Sequence, residues 1–253
     1  MTAPAFGLDG KRALVTGGGT GIGRGIAEAF AASGAHVVIA GRRADVLAAA
    51  AQEVGSAAHP LAADVTDPAD RERLLREAVA HLGGLDILVN CAGAAMSRPI
   101  ADMDPDAWRS IFEVNLIAPA ELSRAALPTL REDGGGSILS ISTGASLHPV
   151  PGYAAYGSSK AAMNYLSQVL AMEAAPDVRV NVICPGGVDT PIFGTFLPED
   201  QVPAALRFFR DSTPLGRIGQ PRDVAGAAVY LCSDAAEWIT GAVLTVDGGL
   251  NLG

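Results

Sequence analysis

Tyr156 and Lys160 are four residues apart in a stretch of helical composition. Residues at this spacing share one face of an α-helix, so the phenol and the ammonium group would lie side by side. A neighbouring positive charge favours the ionised phenol and lowers its pKa. The pair therefore predicts a general acid/base that works near neutral pH. The same spacing also occurs in solvated surface pairs, so the interpretation needs support from elsewhere in the chain.

A glycine-rich segment, residues 16–23, follows a short apolar run and precedes another stretch of helical composition. Glycines in a strand, turn and helix arrangement let the backbone approach a pyrophosphate at the helix N-terminus. A tight turn without a ligand is the alternative, but this setting favours nucleotide binding. The residues expected to contact the cofactor here are Gly17, Gly19, Thr20, Gly21, Ile22 and Gly23.

Two arginines, Arg42 and Arg43, follow the second apolar run of the chain. Enzymes that use NAD usually carry an acidic residue at this point for the ribose hydroxyls, whereas an arginine accommodates a 2′-phosphate. Gly41 stands at the acidic position. The segment predicts a preference for NADP(H), with NAD(H) and a solvated arginine pair as the alternatives.

These residues need a scaffold, and short apolar runs alternate with helical patterns along the chain. Near-continuous apolar strands are typical of a parallel sheet that is covered on both faces. The predicted strands are 13–15, 36–40, 86–89, 137–141, 179–184 and 242–246, with a further strand before Asp64. The predicted helices are 25–32, 44–54, 67–82, 105–131, 153–174 and 222–232.

We therefore expect one doubly wound, mostly parallel Rossmann-type α/β domain over residues 1–253, with about seven strands and helices on both faces. Residues 191–220 interrupt the pattern with Gly, Pro and Phe around a short helical stretch, 202–209. We interpret residues 191–214 as a lid over a substrate pocket. Its apolar face would carry Val202, Leu206 and Phe209. A helix packed on the core or on a neighbouring subunit is the alternative.

The Thr-Gly-x-x-x-Gly-x-Gly spacing at residues 16–23 differs from the ordinary dinucleotide fingerprint. Together with residues 90–93 (Asn-Cys-Ala-Gly), 156–160 (Tyr-Gly-Ser-Ser-Lys) and 247–249 (Asp-Gly-Gly), it resembles the short-chain dehydrogenase/reductase family, in particular members like 3-oxoacyl-ACP reductase. The resemblance covers nearly the whole chain. It implies hydride transfer between a nicotinamide dinucleotide and a carbonyl/alcohol pair.

The resemblance assigns catalytic roles to four residues. Tyr156 would exchange the proton of the substrate oxygen, and Lys160 would tune Tyr156 and hold the nicotinamide ribose. Asn115, which is unfavourable within an apolar helix, would hold a water that links Lys160 to solvent. The family has a serine thirteen residues before the tyrosine, where this chain has Thr143. Two neighbouring serines are the alternatives to Thr143, namely Ser142 and Ser146.

The resemblance also implies further cofactor contacts. Asp64 would bind the adenine amino group and Val65 would pack near it, while Val188 and Thr190 would hold the nicotinamide carboxamide. The remaining expected contacts are Asn90, Ala92, Gly93, Pro185 and Gly186. Besides Thr143, two positions depart from the family pattern: Cys91 replaces a second asparagine, and Thr20 stands where some NADP-preferring relatives have a basic residue.

Composition excludes several function classes. The chain has 18 Lys and Arg against 27 Asp and Glu, a net charge of -9, so neither nucleic acid nor an anionic membrane is expected as a partner. A hydrophobic fraction of 49% excludes intrinsic disorder. Three widely spaced cysteines indicate free thiols and a cytoplasmic protein. Four histidines lack ligand spacing, so no metal site is expected.

We expect an NADP(H)-dependent oxidoreductase that interconverts a small, mainly apolar ketone and its secondary alcohol. The substrate pocket is expected to contain Met96, Leu147, His148 and Val150. Relatives often form homotetramers, and we expect the same here. One alternative is an NAD-dependent alcohol, sugar or steroid dehydrogenase. Another is a regulator that senses dinucleotides without catalysis, although such proteins usually lose the Tyr or the Lys.

Overall fold

A single parallel sheet runs through the computed structural model, which describes residues 6–252. The order of its seven strands is β3-β2-β1-β4-β5-β6-β7. The strands are β1 (Arg12–Thr16), β2 (His36–Gly41), β3 (Ala58–Ala62), β4 (Ile87–Asn90), β5 (Gly136–Ile141), β6 (Val178–Pro185) and β7 (Val243–Val246). The predicted Rossmann-type sheet is confirmed, and each predicted strand lies within two residues of its observed bounds. Residues 1–5 and 253 of the predicted domain lie outside the described residues.

Helices cover both faces of the sheet. They are α1 (Gly21–Ala32), α2 (Ala44–Val54), α3 (Pro68–Leu82), α4 (Pro105–Phe112), α5 (Ala118–Leu130), α6 (Ala154–Ala174), α7 (Val202–Ser212) and α8 (Pro221–Cys232). Predicted helix 25–32 is four residues too short, because the helix already begins inside the glycine-rich segment. Among residues 6–252, no helix is both long and apolar enough to cross a membrane.

The two hydrophobic cores lie on opposite faces of the sheet because strand side chains alternate in direction. Val15 of β1 belongs to one core with Phe30 of α1 and Leu231 of α8. Leu14, the preceding residue, belongs to the other core with Leu122 of α5. The central strands are therefore buried on both sides, which explains their continuous apolar pattern.

The order of the strands in the sheet changes direction between β1 and β4. The loops that follow these two strands both begin at the carboxyl edge of the sheet. Ligands of open parallel sheets bind in the crevice at such a switch point. Val15 of β1 pairs with Ile39 of β2 on one side and with Val89 of β4 on the other. The glycine-rich segment and residues 90–93 therefore lie at the same edge of the sheet.

The predicted continuous helix 105–131 is wrong at one point. A π-helical turn, Glu113–Ile117, separates α4 from α5. Asn115 lies within this turn and is fully buried. Its side chain makes hydrogen bonds to the backbone of the loop after β4. Single π-helical turns are frequent at functional sites because they re-aim one side chain without ending the helix.

The segment after β6 contains two short 3-10 turns, Pro191–Thr195 and Glu199–Gln201, before α7. Helix α7 begins at the predicted residue and continues three residues beyond the predicted end. Val202, Leu206 and Phe209 are half-buried, whereas Arg207 and Phe208 are exposed. The apolar face predicted from the i, i+4, i+7 spacing therefore lies against the protein.

Candidate active site

The turn after β1 is held against the end of β4 by Thr16. Its hydroxyl donates to Val89 O at 3.1 Å and accepts from the amides of Cys91 and Ala92, also at 3.1 Å. A side chain at Gly17 would lie 2.9 Å from Ala92 N, and Gly17 has a φ of +68°. The close approach of these two loops therefore requires glycine at this position.

The loop after β6 approaches the same turn. A side chain at Gly21 would lie 3.1 Å from Thr190 Cγ2. Thr190 begins the 3-10 turn Pro191–Thr195, and Val188 pairs with Gly219. The residues predicted to contact the pyrophosphate and those predicted to contact the nicotinamide are therefore brought together at one edge of the sheet.

The N-terminus of α1 fits a dinucleotide pyrophosphate. Thr20 precedes this helix and makes no side-chain capping hydrogen bond, and the first turn holds no acidic residue. The first amides of a helix lack intrahelical partners and attract anions. With neither a side-chain cap nor an acidic residue at this helix start, the residues present fit the cofactor that the sequence predicts.

On the adenine side, the predicted contacts form a hydrogen-bonded turn after β3. Asp64 Oδ1 accepts from the amide and the hydroxyl of Thr66, at 2.9 and 2.7 Å. Arg71 Nη1 donates to Val65 O at 2.7 Å. Arg42 and Arg43 are exposed at the end of β2, and neither side chain has a hydrogen-bond or ion-pair partner among residues 6–252. Both guanidinium groups are free to meet an anion.

Asn90, at the end of β4, is buried and faces α5. Its Nδ2 donates to Ser123 Oγ at 2.9 Å, and its Oδ1 has no hydrogen-bond partner within the described part of the chain. Cys91, next in the chain, is half-buried and carries a free thiol. Asn90 thus braces the strand end against α5.

Asn115, Gly93 and Lys160 meet beside this strand end. Asn115 accepts from Ala94 N at 3.0 Å and donates to Ala94 O at 2.9 Å and to Ser159 Oγ at 3.1 Å. A side chain at Gly93 would lie 2.9 Å from Asn115 Oδ1 and 3.3 Å from Lys160 Nζ. The π-helical turn therefore aims Asn115 at the loop that passes Lys160.

Lys160 is 6% exposed, and its Nζ donates to Ile141 O at 2.8 Å. Burial lowers the pKa of Lys160 to about 8, because the charged amine loses its hydration. The nearby thiols of Cys91 and Cys184 act in the opposite direction. Near neutral pH the side chain therefore still carries a proton, which it loses on mild alkalinisation.

Tyr156 does not have the lowered pKa that its spacing from Lys160 predicts. Burial raises the pKa of Tyr156 to about 12, while a side-chain hydrogen bond with Thr143 acts to lower it. The prediction is wrong for the protein without ligands because desolvation of the phenolate outweighs its stabilising contacts. The amine of Lys160 is also engaged by Ile141 O. Tyr156 therefore keeps its proton at neutral pH, as an acid in carbonyl reduction requires.

Three hydroxyls are candidates for the position beside Tyr156, and their contacts in the structure differ. The Thr143 hydroxyl accepts from Ala145 N at 3.3 Å, and of the three it is the one that acts to lower the pKa of Tyr156. Ser142 Oγ donates to Lys160 O at 3.3 Å, on the other side of the strand end. Ser146 Oγ donates to Thr143 O at 2.6 Å. Thr143 is thus the hydroxyl that meets Tyr156.

Sequence reasoning missed Tyr153, whose ring is edge-on to Tyr156 with centroids 5.7 Å apart. The rings continue in sequence through Phe196, Phe193 and Phe209, at centroid distances of 6.3, 6.0 and 5.5 Å. The signal was present, because Tyr153 precedes Tyr156 by about one helical turn. The aromatic row, Tyr156 to Phe209, connects the proton donor to the lid segment.

A cavity of about 310 Å³ lies beside these groups. Leu147, His148 and Val150, three of the residues predicted to form the substrate pocket, line it with Tyr153. Met96, the fourth, does not. Tyr156 and Thr143 are also absent from its walls, so the cavity adjoins the candidate active site without containing the reacting groups.

Comparison with known proteins gives the same family as the motifs. The sequence model of a family described as enoyl-(acyl carrier protein) reductase matches residues 17–251. The 7alpha-hydroxysteroid dehydrogenase of Escherichia coli K12 is 37% identical over 246 residues, which cover 96% of this chain and 94% of that protein. This chain is a short-chain dehydrogenase/reductase. The galactitol 2-dehydrogenase (L-tagatose-forming) of Cereibacter sphaeroides is 40% identical over 248 residues, 96% of each chain.

Solved structures of other short-chain dehydrogenases/reductases are similar throughout. The 3-ketoacyl-(acyl-carrier-protein) reductase from Brucella melitensis, in complex with NADH, has a TM-score of 0.89 at 35% identity and covers 96% of this chain and 99% of its own. A 7α-hydroxysteroid dehydrogenase in complex with NADH and 7-oxo glycochenodeoxycholic acid has a TM-score of 0.90 at 36% identity, covering 96% and 95%. The chain is accordingly an oxidoreductase that uses a nicotinamide dinucleotide and a small-molecule substrate.

Proposed function

We propose that this protein is an NADP(H)-dependent reductase of mainly apolar ketones, working reversibly on the corresponding secondary alcohols. The observation that carries the proposal is that Thr143 acts on the Tyr156 hydroxyl at the end of β5, while buried Lys160 lies one helical turn further along α6. The Thr143 and Tyr156 hydroxyls can serve as a pair of donors next to a crevice that fits a dinucleotide. Asn115 completes the group from the π-helical turn.

For reduction, the hydroxyls of Thr143 and Tyr156 bind the carbonyl oxygen, and Tyr156 gives it a proton. When bound, the cofactor supplies the hydride. Lys160 holds positive charge behind Tyr156, and its amine is fixed by Ile141 O. Asn115 fixes the loop at Ala94 that passes Lys160. In alcohol oxidation Tyr156 accepts the proton instead.

The preference for NADP(H) is supported by the charge at the end of β2. The side chains of Arg42 and Arg43 have no partner among the described residues and offer donors to a 2′-phosphate. Gly41 brings no carboxylate to repel it. A side chain at Gly41 would have only Leu47 within contact distance, at 3.7 Å. The backbone at this position therefore has room for an acidic side chain, although the chain carries none there.

The apolar character of the substrate is supported by the aromatic row. Phe193 is buried, and Phe209 packs against the loop at Gly187, where a side chain would come within 2.5 Å of the ring. Arg207 and Arg210 lie on the opposite, exposed side of α7, where Arg210 pairs with Asp211. The wall nearest Tyr156 thus contributes rings rather than charges. We propose that residues 191–214 close over the substrate as a lid.

A second candidate is an NAD-dependent sugar or steroid dehydrogenase. It is favoured by the names of the relatives and by the NADH in two of the similar solved structures. A regulator that only senses dinucleotides is disfavoured by the retained Tyr156 and Lys160.

The deciding experiment measures kcat/KM for aryl and alkyl ketones, 3-oxoacyl thioesters, oxosteroids and free sugars with NADPH and NADH. The proposal requires apolar ketones with NADPH to give the highest values. Higher values for sugars, or equal use of NADH, would favour the second candidate. A protein that binds NADPH tightly but turns over no compound, matching its Tyr156→Phe variant, would indicate the regulator.

We also propose that the protein is a homotetramer in the cytoplasm. Apolar side chains stand exposed on the elements expected to form the interfaces, among them Ile117 before α5, Tyr165 and Met172 on α6, and Leu244 on β7. Such a surface favours association. Light scattering after gel filtration tests the stoichiometry, and Tyr165→Glu with Met172→Glu should reduce it. The cytoplasmic location rests on the free state of the three cysteines.

A further inference from the structure

A partly buried polar cluster of Ser142, Ser146 and Asn164 adjoins the backbone of Thr143. Ser146 Oγ donates to the carbonyl oxygen of Thr143 at 2.6 Å. The same Ser146 Oγ accepts from Asn164 Nδ2 at 2.8 Å. Ser142 Oγ lies 3.2 Å from it. The cluster therefore connects the backbone of Thr143 to a side chain that no part of the proposed mechanism uses.

Asn164 belongs to α6, the helix that carries Tyr156 and Lys160. It is 8% exposed, and its other close polar neighbour is the Cys184 thiol at 3.8 Å. A buried amide that loses its partner is costly, so Ser146 and Asn164 hold each other in place. The chain of bonds runs from α6 through Asn164 and Ser146 to the backbone of Thr143.

Thr143 needs such a support because it lies just beyond β5. The residues that follow form a single short turn, Gly144–Ser146, and only the Ala145 amide, at 3.3 Å, bonds to the Thr143 hydroxyl from within this turn. Tyr156, in contrast, is fixed on a helix of 21 residues. The distance between the two hydroxyls therefore depends on what ties the turn to the helix.

We propose that Ser146 and Asn164 are positioning residues, which hold Thr143 in place beside Tyr156 by tying the turn after β5 to α6. Neither residue is one of the proposed reacting groups. The consequence for turnover rests on the proposed function, whereas the consequence for the turn itself does not.

The first test removes the Ser146 hydroxyl or the Asn164 amide and measures kcat and KM for both the ketone and the cofactor. Ser146→Ala and Asn164→Leu should lower kcat about 10- to 100-fold, since small displacements of a reacting group cost this much, and leave KM for the cofactor unchanged. Ser146→Thr retains the hydroxyl and should restore most of the rate. The control is Ser167→Ala, which deletes another buried hydroxyl of α6 whose contact is the Met163 thioether at 3.7 Å. It should leave kcat unchanged.

Two readouts separate positioning from a purely structural role. In a Thr143→Ala background, Ser146→Ala should cause no further loss of kcat, because the group it positions is gone. In the wild-type background, Ser146→Ala should raise the pH at which alcohol oxidation increases by about half a unit to one unit, since a displaced Thr143 no longer lowers the pKa of Tyr156 to the same extent. Additive losses in the double variant, or an unshifted pH profile, would overturn the proposal.

A further measurement does not depend on turnover. Amide hydrogen exchange of Ala145 should accelerate in Ser146→Ala and Asn164→Leu and stay unchanged in Ser167→Ala. Unchanged exchange in the first two variants overturns the inference even when the enzyme is active. Accelerated exchange in a protein that reduces no ketone leaves the support of the turn established and rejects the proposed function instead.

Discussion

Thr143 acts against the effect of burial on the pKa of Tyr156, although one residue follows a strand and the other lies in the first turn of a helix. The fold therefore brings the two side chains together from separate elements. We propose that a single carbonyl oxygen accepts from both hydroxyls. The relationship explains how a threonine can stand in place of the serine that the family pattern expects.

Tyr156→Phe should lower kcat by about 10² to 10⁴, the usual contribution of a positioned acid or base. The ring stays, so the edge-on contact with Tyr153 and the fold are retained. Steady-state kinetics and NADPH titration by fluorescence measure the two effects. Tyr165→Phe, an exposed tyrosine on the same helix, is the matched control. Comparable turnover in the two variants would contradict the mechanism.

Thr143→Ala should lower kcat by about 10- to 100-fold, since one hydrogen bond to developing charge is lost. Thr143→Ser should remain close to the wild type because it keeps the hydroxyl. Initial rates with a saturating ketone compare the two. If Ser142→Ala is more damaging than Thr143→Ala, the assignment of the substrate-binding hydroxyl is wrong.

Cofactor preference should depend on Gly41 and Arg42. The wild type should prefer NADPH over NADH by about tenfold or more in kcat/KM, because a charge-assisted hydrogen bond binds the 2′-phosphate. Gly41→Asp with Arg42→Leu should reverse this preference, and the open space at Gly41 permits the change. The control is Arg24→Leu, which removes an arginine already paired with Glu28. A wild type that uses both cofactors equally would refute the prediction.

Phe209→Ala should raise KM for apolar ketones about tenfold and change kcat less, because half-buried aromatic surface is lost from the wall of the site. Phe208→Ala is the matched control, since its ring is 63% exposed and adjoins Phe209 from the outside. Hydrogen exchange should also be faster in residues 191–214 than in the sheet and slow down on ligand binding. A rigid segment buried in a subunit interface would contradict the lid.

Ketone reduction should stay level towards acid pH and decline above about pH 8. Lys160, with its pKa lowered to about 8, is charged below this value and loses its proton as the pH rises through it. Tyr156 keeps its proton throughout because its pKa is about 12. Alcohol oxidation should instead increase with pH, since it needs the phenolate. Profiles of kcat/KM in both directions, with circular dichroism to check folding, test this, and an oxidation optimum below pH 7 would contradict it.

Local sequence patterns were sufficient for the scaffold and for the glycine-rich segment. Strands such as β5 and β6 are buried on both faces, so their apolar runs mark them directly. Tyr156 and Lys160 could be paired because helical spacing alone puts them on one face. The interrupted helix around Asn115 could not be predicted, since a π-helical turn depends on the loop at Ala94 that its side chain bonds.

The family, the sheet and the proposed catalytic residues could be predicted because they follow from hydrophobic periodicity and from motifs within a few residues. The contacts and protonation of those residues depend on the folded chain. It brought Asn164 against Ser146, aligned Tyr153 with the lid rings, and raised the pKa of Tyr156 where the spacing from Lys160 predicts a lower one. Burial and contacts between distant segments control these properties, and neither is visible in the order of residues along the chain.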